Sequence, residues 1–364
     1  MKIREVTGFL ETVAPPALQE NYDNAGLLTG SADWQCTGII CTLDTTEAVV
    51  EEAIEHGANL IVSHHPVIFR GLKKITGKNY VERTVIKAIK NDIAIYAIHT
   101  NLDSVLWGVN ARIADKLGLI NRRILLPKEG DLVKLFTFVP HENAEKVRVA
   151  IFEAGAGQIG NYSECSFNAS GTGTYKPLQG SNPFSGEIGR RNEEPETKIE
   201  VILPSYLQQQ VVAALLAAHP YEEVAFDLVP LSNTFQQAGA GIVGELAEPV
   251  PARDFLVKLK SAFSVSVIRH TMLLKKQIQR VAVCGGAGSF LIGTAISQQA
   301  DIFITSDIKY HEFFDADGKL VIADIGHGES EHFTIELLYD ILKTKFPTFA
   351  IQKTKVNTNP VSYF

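Results

Sequence analysis

Leu60-Ile61-Val62-Ser63-His64-His65-Pro66 is a short apolar run closed by two imidazoles and a proline. A run apolar on both faces fits a strand inside a sheet covered by helices on both sides. The same pattern recurs on either side of it. Residues 38–43 form a strand ending at Asp44, and Val50, Ala53 and Ile54 mark a helix face closed by Gly57. A second helix face runs through Val81, Val85, Ala88 and Ile89, followed by a strand at 93–98 and a helix at 110–117 closed by Gly118. Toward the C-terminus, strands at 281–284, 302–305 and 320–323 alternate with helical segments after Gly288 and Tyr310, and a last helix (333–342) and strand (348–355) complete the series. Alternation of this kind predicts an α/β domain with a mostly parallel sheet.

Between these ends the grammar changes. Strand 135–139, helix 144–152, a strand near Ser166, strand 199–203, helix 207–218 and strand 224–229 take the order β-α-β-β-α-β, the ferredoxin-like α+β unit. The stretch 180–195 is rich in breakers and charge and reads as a surface loop. Residues 130–232 are therefore expected to be an inserted domain, and 1–129 with 233–364 a discontinuous α/β domain.

With 45% hydrophobic and 21% charged residues among 364, the chain has the apolar content to bury one or two cores, which excludes a disordered protein. A formal net charge of -7 disfavours phosphate backbones, so nucleic acid is not expected as a partner. No stretch approaches the roughly 20 apolar residues of a membrane span, and Met1 to Val6 carries charge where a secretory signal is apolar. The expected location is cytoplasmic. Cys36, Cys41, Cys165 and Cys284 form no Cys-x-x-Cys pair and read as buried free thiols.

Three clusters come directly after different strands: Ser63-His64-His65-Pro66, His99-Thr100-Asn101-Leu102-Asp103 and His327-Gly328-Glu329-Ser330-Glu331. Ligands of open α/β sheets gather beyond the carboxyl ends of strands, so these clusters can meet. Imidazoles with carboxylates suit zinc, iron, manganese or nickel rather than calcium. His327 and Glu331, four apart, would share a helix face. Successive side chains of a strand point oppositely, so His64 and His65 can serve different ions, which makes a dinuclear site. A single histidine after a strand is commonly a hydrogen-bonded loop residue, and it is the recurrence that favours a metal site. His99 reads as orienting a carboxylate or moving protons. Asp44, Asp307 and His311 are cleft-lining candidates, while His56, His141, His270 and His332 read as surface or structural. Gly285-Gly286-Ala287-Gly288 reads as a tight turn beside the crevice. Like Gly171-Thr172-Gly173-Thr174-Tyr175, it lacks the spacing of a phosphate loop.

Together with Tyr22-Asp23-Asn24-Ala25-Gly26-Leu27 and the Asn359-Pro360 tail, these clusters make the chain resemble the type 2 GTP cyclohydrolase I homologues, also called Nif-three-like dinuclear-metal proteins. The motifs cover both ends of the chain. The resemblance implies Nif-three-like mixed sheets with flanking helices and two divalent ions, with His64, His65, Asp103, His327 and Glu331 as ligands and Glu331 bridging. It also implies a toroidal homohexamer. The middle segment, with His219-Pro220-Tyr221-Glu222-Glu223, resembles the PII/CutA-like insert of longer members. Gly328 and Glu329 depart from the family pattern beside intact ligands.

The leading expectation is a metal-dependent hydrolase of a small-molecule substrate, with GTP the nucleotide suggested by the family and His99 as the catalytic proton carrier. A phosphoesterase is the alternative enzyme. A metal-bearing scaffold or regulator is the alternative outside catalysis. Turnover that tracks metal loading separates the enzymes from the scaffold.

Overall fold

The computed structural model describes residues 1–364 apart from Lys275. It has a mixed α/β fold with several sheets and flanking helices. The chain divides into two compact units, one of residues 1–126 and 238–364 and the other of residues 127–237.

In the first unit, a five-stranded sheet has the order Gly26–Thr29, Ala94–Ala97, Leu60–Ser63, Ile39–Thr42, Ile351–Lys353. The last four strands are parallel, and Gly26–Thr29 pairs antiparallel at one edge. Ile39–Thr42, Leu60–Ser63 and Ala94–Ala97 are buried at every position, which is why they read as unbroken apolar runs. Helices Glu47–Glu55 and Tyr80–Lys90 pack on this sheet through Val49, Val50, Ala53, Val85 and Ala88, against Ile40, Ile61 and Ile95. Each begins at a side-chain cap, where Thr46 accepts from the Val49 amide and Asn79 from the Glu82 amide.

A six-stranded sheet of the same unit has the order Arg269–His270, Val321–Asp324, Ile302–Ser306, Gln277–Ala287, Thr234–Pro251, Ile120–Glu129. Its central pairs, Gln277–Ala287 with Ile302–Ser306 and the latter with Val321–Asp324, are parallel, and Thr234–Pro251 with Gln277–Ala287 and Arg269–His270 with Val321–Asp324 are antiparallel. Ala282, Phe303 and Ile322 supply its core face, covered by Leu291, Ile292 and Ala295.

Several elements escaped the sequence pattern. The helices Ile3–Val13 and Ala252–Phe263 and the long strands Ile120–Glu129 and Thr234–Pro251 flank the regions where strand and helix alternate. Gly285-Gly286-Ala287 is not a turn: it continues the strand Gln277–Ala287 through a register shift between Val283 and Ala287. Cys165 is half-buried, and the other three thiols are buried.

In the second unit, Leu132–Pro140, Ser166–Tyr175, Asn192–Pro204 and Phe226–Leu231 form an antiparallel sheet, with helices Ala144–Glu153 and Gln208–Ala218 between them in β-α-β-β-α-β order. Ser166–Tyr175 and Phe226–Leu231 are the edges. The expected loop ends earlier than 195, because Asn192 to Pro195 already pair with Tyr175 to Thr172. Pro195 is tolerated there because the pairing with Leu132–Pro140 starts at Glu196, so no partner on that side needs its missing N–H. Among the described residues, no helix is long and apolar enough to cross a membrane.

One apolar cluster, running from Val133 to Ala218, belongs wholly to the second unit. The strands on either side of it, Ile120–Glu129 and Thr234–Pro251, are hydrogen-bonded neighbours, so the chain leaves and returns at one place. Excising residues 130–232 and joining the ends with a short Gly-Ser linker is expected to leave a folded protein with a cooperative melt. Circular dichroism and thermal denaturation check this, and an insoluble or non-cooperative product would refute it.

Candidate metal centre

The Leu60–Ser63 strand does not release its partner where it ends. The His64 amide donates to the Thr42 carbonyl (3.1 Å) and the His65 amide to the Leu43 carbonyl (2.9 Å), so both histidines are held at the strand end. Their rings stand 4.9 Å apart between centroids. Ile98 directly follows the neighbouring strand Ala94–Ala97, and the short helix Thr100–Ser104 beyond it carries Asp103. From the other sheet, Val321–Asp324 leads through Gly326, at φ +90°, into the helix His327–Glu331. The four-residue spacing does put His327 and Glu331 together: His327 Nε2 lies 3.1 Å from Glu331 Oε2.

The same Glu331 oxygen lies 3.0 Å from His65 Nε2, so one buried carboxylate joins residues from two sheets. His64, His65 and His99 form one group able to hold a metal, His65, His327 and Glu331 a second, and His64, Asp103 and Glu331 a third. Within each group one donor atom per residue lies within 4.8 Å of the others. All five expected ligands, and His99, are therefore in one place.

Every imidazole has its Nδ1 anchored. His64 Nδ1 donates to the Ile98 carbonyl (2.9 Å), His65 Nδ1 to Asp44 (2.7 Å), His327 Nδ1 to Asp307 (2.7 Å) and His99 Nδ1 to Asp23 (2.8 Å). Anchoring one ring nitrogen leaves the other, Nε2, as the atom that can serve a ligand. Thr358 Oγ1 in turn donates to Asp44 (2.8 Å), and Asn359 Nδ2 to Glu329 (3.1 Å), which brings the C-terminal tail to the site.

The electrostatics arise from burial and partners. Burial drives the wholly buried His64 down to about 3, so it is neutral. Burial also disfavours charge on His65, but hydrogen bonds to Asp44 and Glu331 raise it to about 10, and His327 rises against burial to about 9 through Glu331 and Asp307. Burial opposes charge on Glu331 too, and the donors His327 and His65 hold it well below the carboxylate range. Burial and then the Glu331 charge push Asp103 well above that range.

Residues arranged in this way fit a cation. His64 Nε2 and Asp103 Oδ1 face each other at 3.5 Å, both enclosed and neither with a hydrogen-bond partner. A neutral imidazole whose Nδ1–H is already used offers only a lone pair there, and leaving such an atom unsatisfied costs about 1–3 kcal/mol. Gly286, at φ +62°, makes room: a Cβ there would collide with the Glu331 carboxylate. The site opens into a cavity of about 660 Å³ lined by His65, Phe69, His99, Arg269, His327 and Tyr363 among others.

Of the cleft-lining candidates, Asp44 and Asp307 are the anchors of His65 and His327, whereas His311 is exposed beside Tyr310 and Phe314 and is absent from the cavity. Three contributors lacked a local signal: Asp23, far from His99 in sequence, Thr358 in the tail, and Arg269, which pairs with the buried Asp324.

A discontinuous α/β protein with His, Asp and Glu groups able to hold a metal at its strand ends is the class that fold and site define. The chain belongs to the Duf34/NIF3 (NGG1p interacting factor 3) family, whose model matches residues 1–360. It is 42% identical over 364 residues to the "GTP cyclohydrolase 1 type 2 homolog" of Halalkalibacterium halodurans, covering 98% of each chain. It is 38% identical over 314 residues to the protein of that name in Bacillus subtilis, covering 86% of this chain and 84% of the relative. Among solved structures, a Bacillus cereus protein related to NIF3 superposes with a TM-score of 0.88 at 37% identity, covering 100% of this chain and 99% of the other.

Asp23 supplies a test of the His99 anchor. Burial would raise its carboxyl, but donors from His99 and Thr100 bring it from 3.8 down to about 2. A depressed carboxyl contributes stability that is present above its unfolded pKa and lost as pH falls through the folded one, here about 2 kcal/mol lost between about pH 4 and pH 2. Asp23→Asn is expected to lower stability by that order at pH 5, with the difference closing toward pH 2. Denaturant melts across that range check it.

Proposed function

We propose that the chain is a dinuclear metal protein and a metal-dependent hydrolase. The observation that carries this is the enclosed, unpartnered pair His64 Nε2 and Asp103 Oδ1 beside a Glu331 carboxylate shared by His65 and His327. Five nitrogen and oxygen donors exceed what one tetrahedral ion takes, so His64, His65, Asp103, His327 and Glu331 are read as ligands of two divalent ions, with Glu331 common to both. Zinc, iron and manganese all accept this donor set.

Held by these residues, a divalent ion would supply a water of lowered pKa, toward about 7, and with it hydroxide at neutral pH. The chain's own residues do the rest. Asp44 and Asp307 fix the orientation of His65 and His327, and the Ile98 carbonyl fixes that of His64. His99 lines the cavity, and with its Nδ1 held by Asp23 its Nε2 is the atom positioned to move a proton. Three neutral and two anionic ligands around two dications leave net positive charge, which favours an anionic small molecule such as a nucleotide. The name its relatives carry supports GTP as the first compound to try. Phosphate-ester cleavage is the second reading, favoured by Arg269 on the same cavity wall.

The second unit is read as an inserted ferredoxin-like module of the PII/CutA kind, supported by its element order and antiparallel strand order. Self-association as a toroidal homohexamer is part of the proposal. Exposed Met272, Tyr310 and Phe314 along one cavity of the first unit support an association surface.

Native mass spectrometry with elemental analysis, on protein purified without chelator, is expected to give six chains with about two ions each. His64→Ala with Glu331→Ala should lose most of the metal. One ion or fewer per wild-type chain, unchanged in the variant, would refute the dinuclear reading. Formate or phosphate release from a nucleotide panel beginning with GTP, by protein loaded with zinc, iron or manganese, tests the chemistry. Formate marks ring opening and phosphate marks ester cleavage. Equal rates in Glu331→Ala mean contamination, and no turnover with any metal leaves the scaffold reading.

A further inference from the structure

A second cavity, of about 800 Å³, lies wholly within residues 138–225 and touches none of the metal-site residues. Its size is that of a small-molecule site. Two stretches with no part in the metal chemistry contribute to its wall: Gly171-Thr172-Gly173-Thr174-Tyr175 along the edge strand Ser166–Tyr175, and Tyr221-Glu222-Glu223 of the segment that follows the helix Gln208–Ala218.

Three aromatic rings gather on it. Tyr221 lies 5.8 Å from Phe184 and 6.4 Å from Tyr175, centroid to centroid. His219 sets Tyr221 in place: buried, it donates from Nε2 to the Phe138 carbonyl (2.9 Å) and accepts the Tyr221 amide at Nδ1 (3.1 Å). Tyr175 Oη bonds Ser185 (2.7 Å to Oγ) and the Asn182 amide bonds Glu222 (2.8 Å), so the loop that carries Phe184 is tied down at two points.

Of the carboxylates on the cavity wall, Glu196, Glu222 and Glu223, the buried one is bonded to the aromatic cluster. Glu196 is 8% exposed, and its Oε1 accepts from Tyr221 Oη at 2.8 Å. Among the described residues, no lysine or arginine forms an ion pair with Glu196. Lys198, on the same cavity, is turned to Glu200 (2.7 Å) and to the Phe136 ring. Gly173 is glycine for a reason: a Cβ there would occupy the place of Glu196 Oε2. A carboxylate held under a gap in the strand beside aromatic faces, with no ion pair of its own among the described residues although Lys176 and Lys198 also line the cavity, is a receptor for positive charge on a flat body.

We propose that this cavity is a binding site for a small planar ring bearing a cationic or N–H-donating edge, such as an amidinium or amino-heterocycle. The ring lies against Tyr221 and Phe184, and its donor edge meets Glu196.

Titration of the full-length protein with benzamidine, benzamide and benzoate, by calorimetry and ligand-observed NMR, separates the contributions. Benzamidine is expected to bind at millimolar concentration, benzamide roughly tenfold more weakly and benzoate not at all, the loss of one charge-assisted hydrogen bond being worth about that factor. Glu196→Gln should erase the preference for benzamidine. Phe184→Ala, at a half-exposed loop position where folding is safe, should weaken both binders several-fold. Melting curves confirm that the variants fold. Benzoate binding as well as benzamidine, binding unchanged in both variants, or no binding of any of the three rings would overturn the proposal.

Discussion

One buried carboxylate organises the first unit. Glu331, 3% exposed, sits between His65 from the five-stranded sheet and His327 from the helix at the end of a six-stranded-sheet strand. A lone buried carboxylate would cost several kcal/mol, so the groups that neutralise it must come with it. Two imidazole N–H donors on a single oxygen perform that neutralisation, and they stand where a cation would place its charge. The two sheets are thereby tied at the point where their strands end.

Much of the surrounding structure keeps those donors aimed. Asp44, Asp307, Asp23 and the Ile98 carbonyl each hold one Nδ1, and each lies at or just beyond a strand end or in a loop that reaches one. Gly286 serves the same end by leaving space. Its positive φ and missing Cβ let the strand Gln277–Ala287 pass directly beneath Glu331. The second unit repeats the device with other residues, where Gly173 clears room for Glu196 and the His219 ring holds Tyr221 against it. In both, a glycine in a strand has its meaning from a carboxylate that is distant in sequence.

The strands around Leu60 were legible because they are buried on both faces, so burial alone dictates an unbroken apolar composition. The long strands Ile120–Glu129 and Thr234–Pro251 mix polar and apolar positions and carry no such signature, and the charged residues that begin Asn192–Pro204 disguise its first turn of pairing as loop. His64, His65 and Asp103 could be gathered as candidates because strand ends of one sheet converge by rule, whereas His327 and Glu331 follow a strand of the other sheet and join them only through the contact of Glu331 with His65. His311 satisfied the same positional rule and yet is exposed, since the 3-10 helix after its strand carries it beside Tyr310 and Phe314.

By itself, then, the sequence determined the α/β alternation, the β-α-β-β-α-β order of the middle segment and the residue types able to hold a metal, because apolar periodicity and donor chemistry are local properties of a chain. Tertiary structure alone decided which partner each donor has. That Asp23 holds His99, that Thr358 reaches Asp44, that Gly286 yields to Glu331 and that Glu196 lies beneath three aromatic rings all depend on segments brought together by the sheets. Hydrogen bonds and close approaches act over a few ångströms, and no spacing along the chain encodes them.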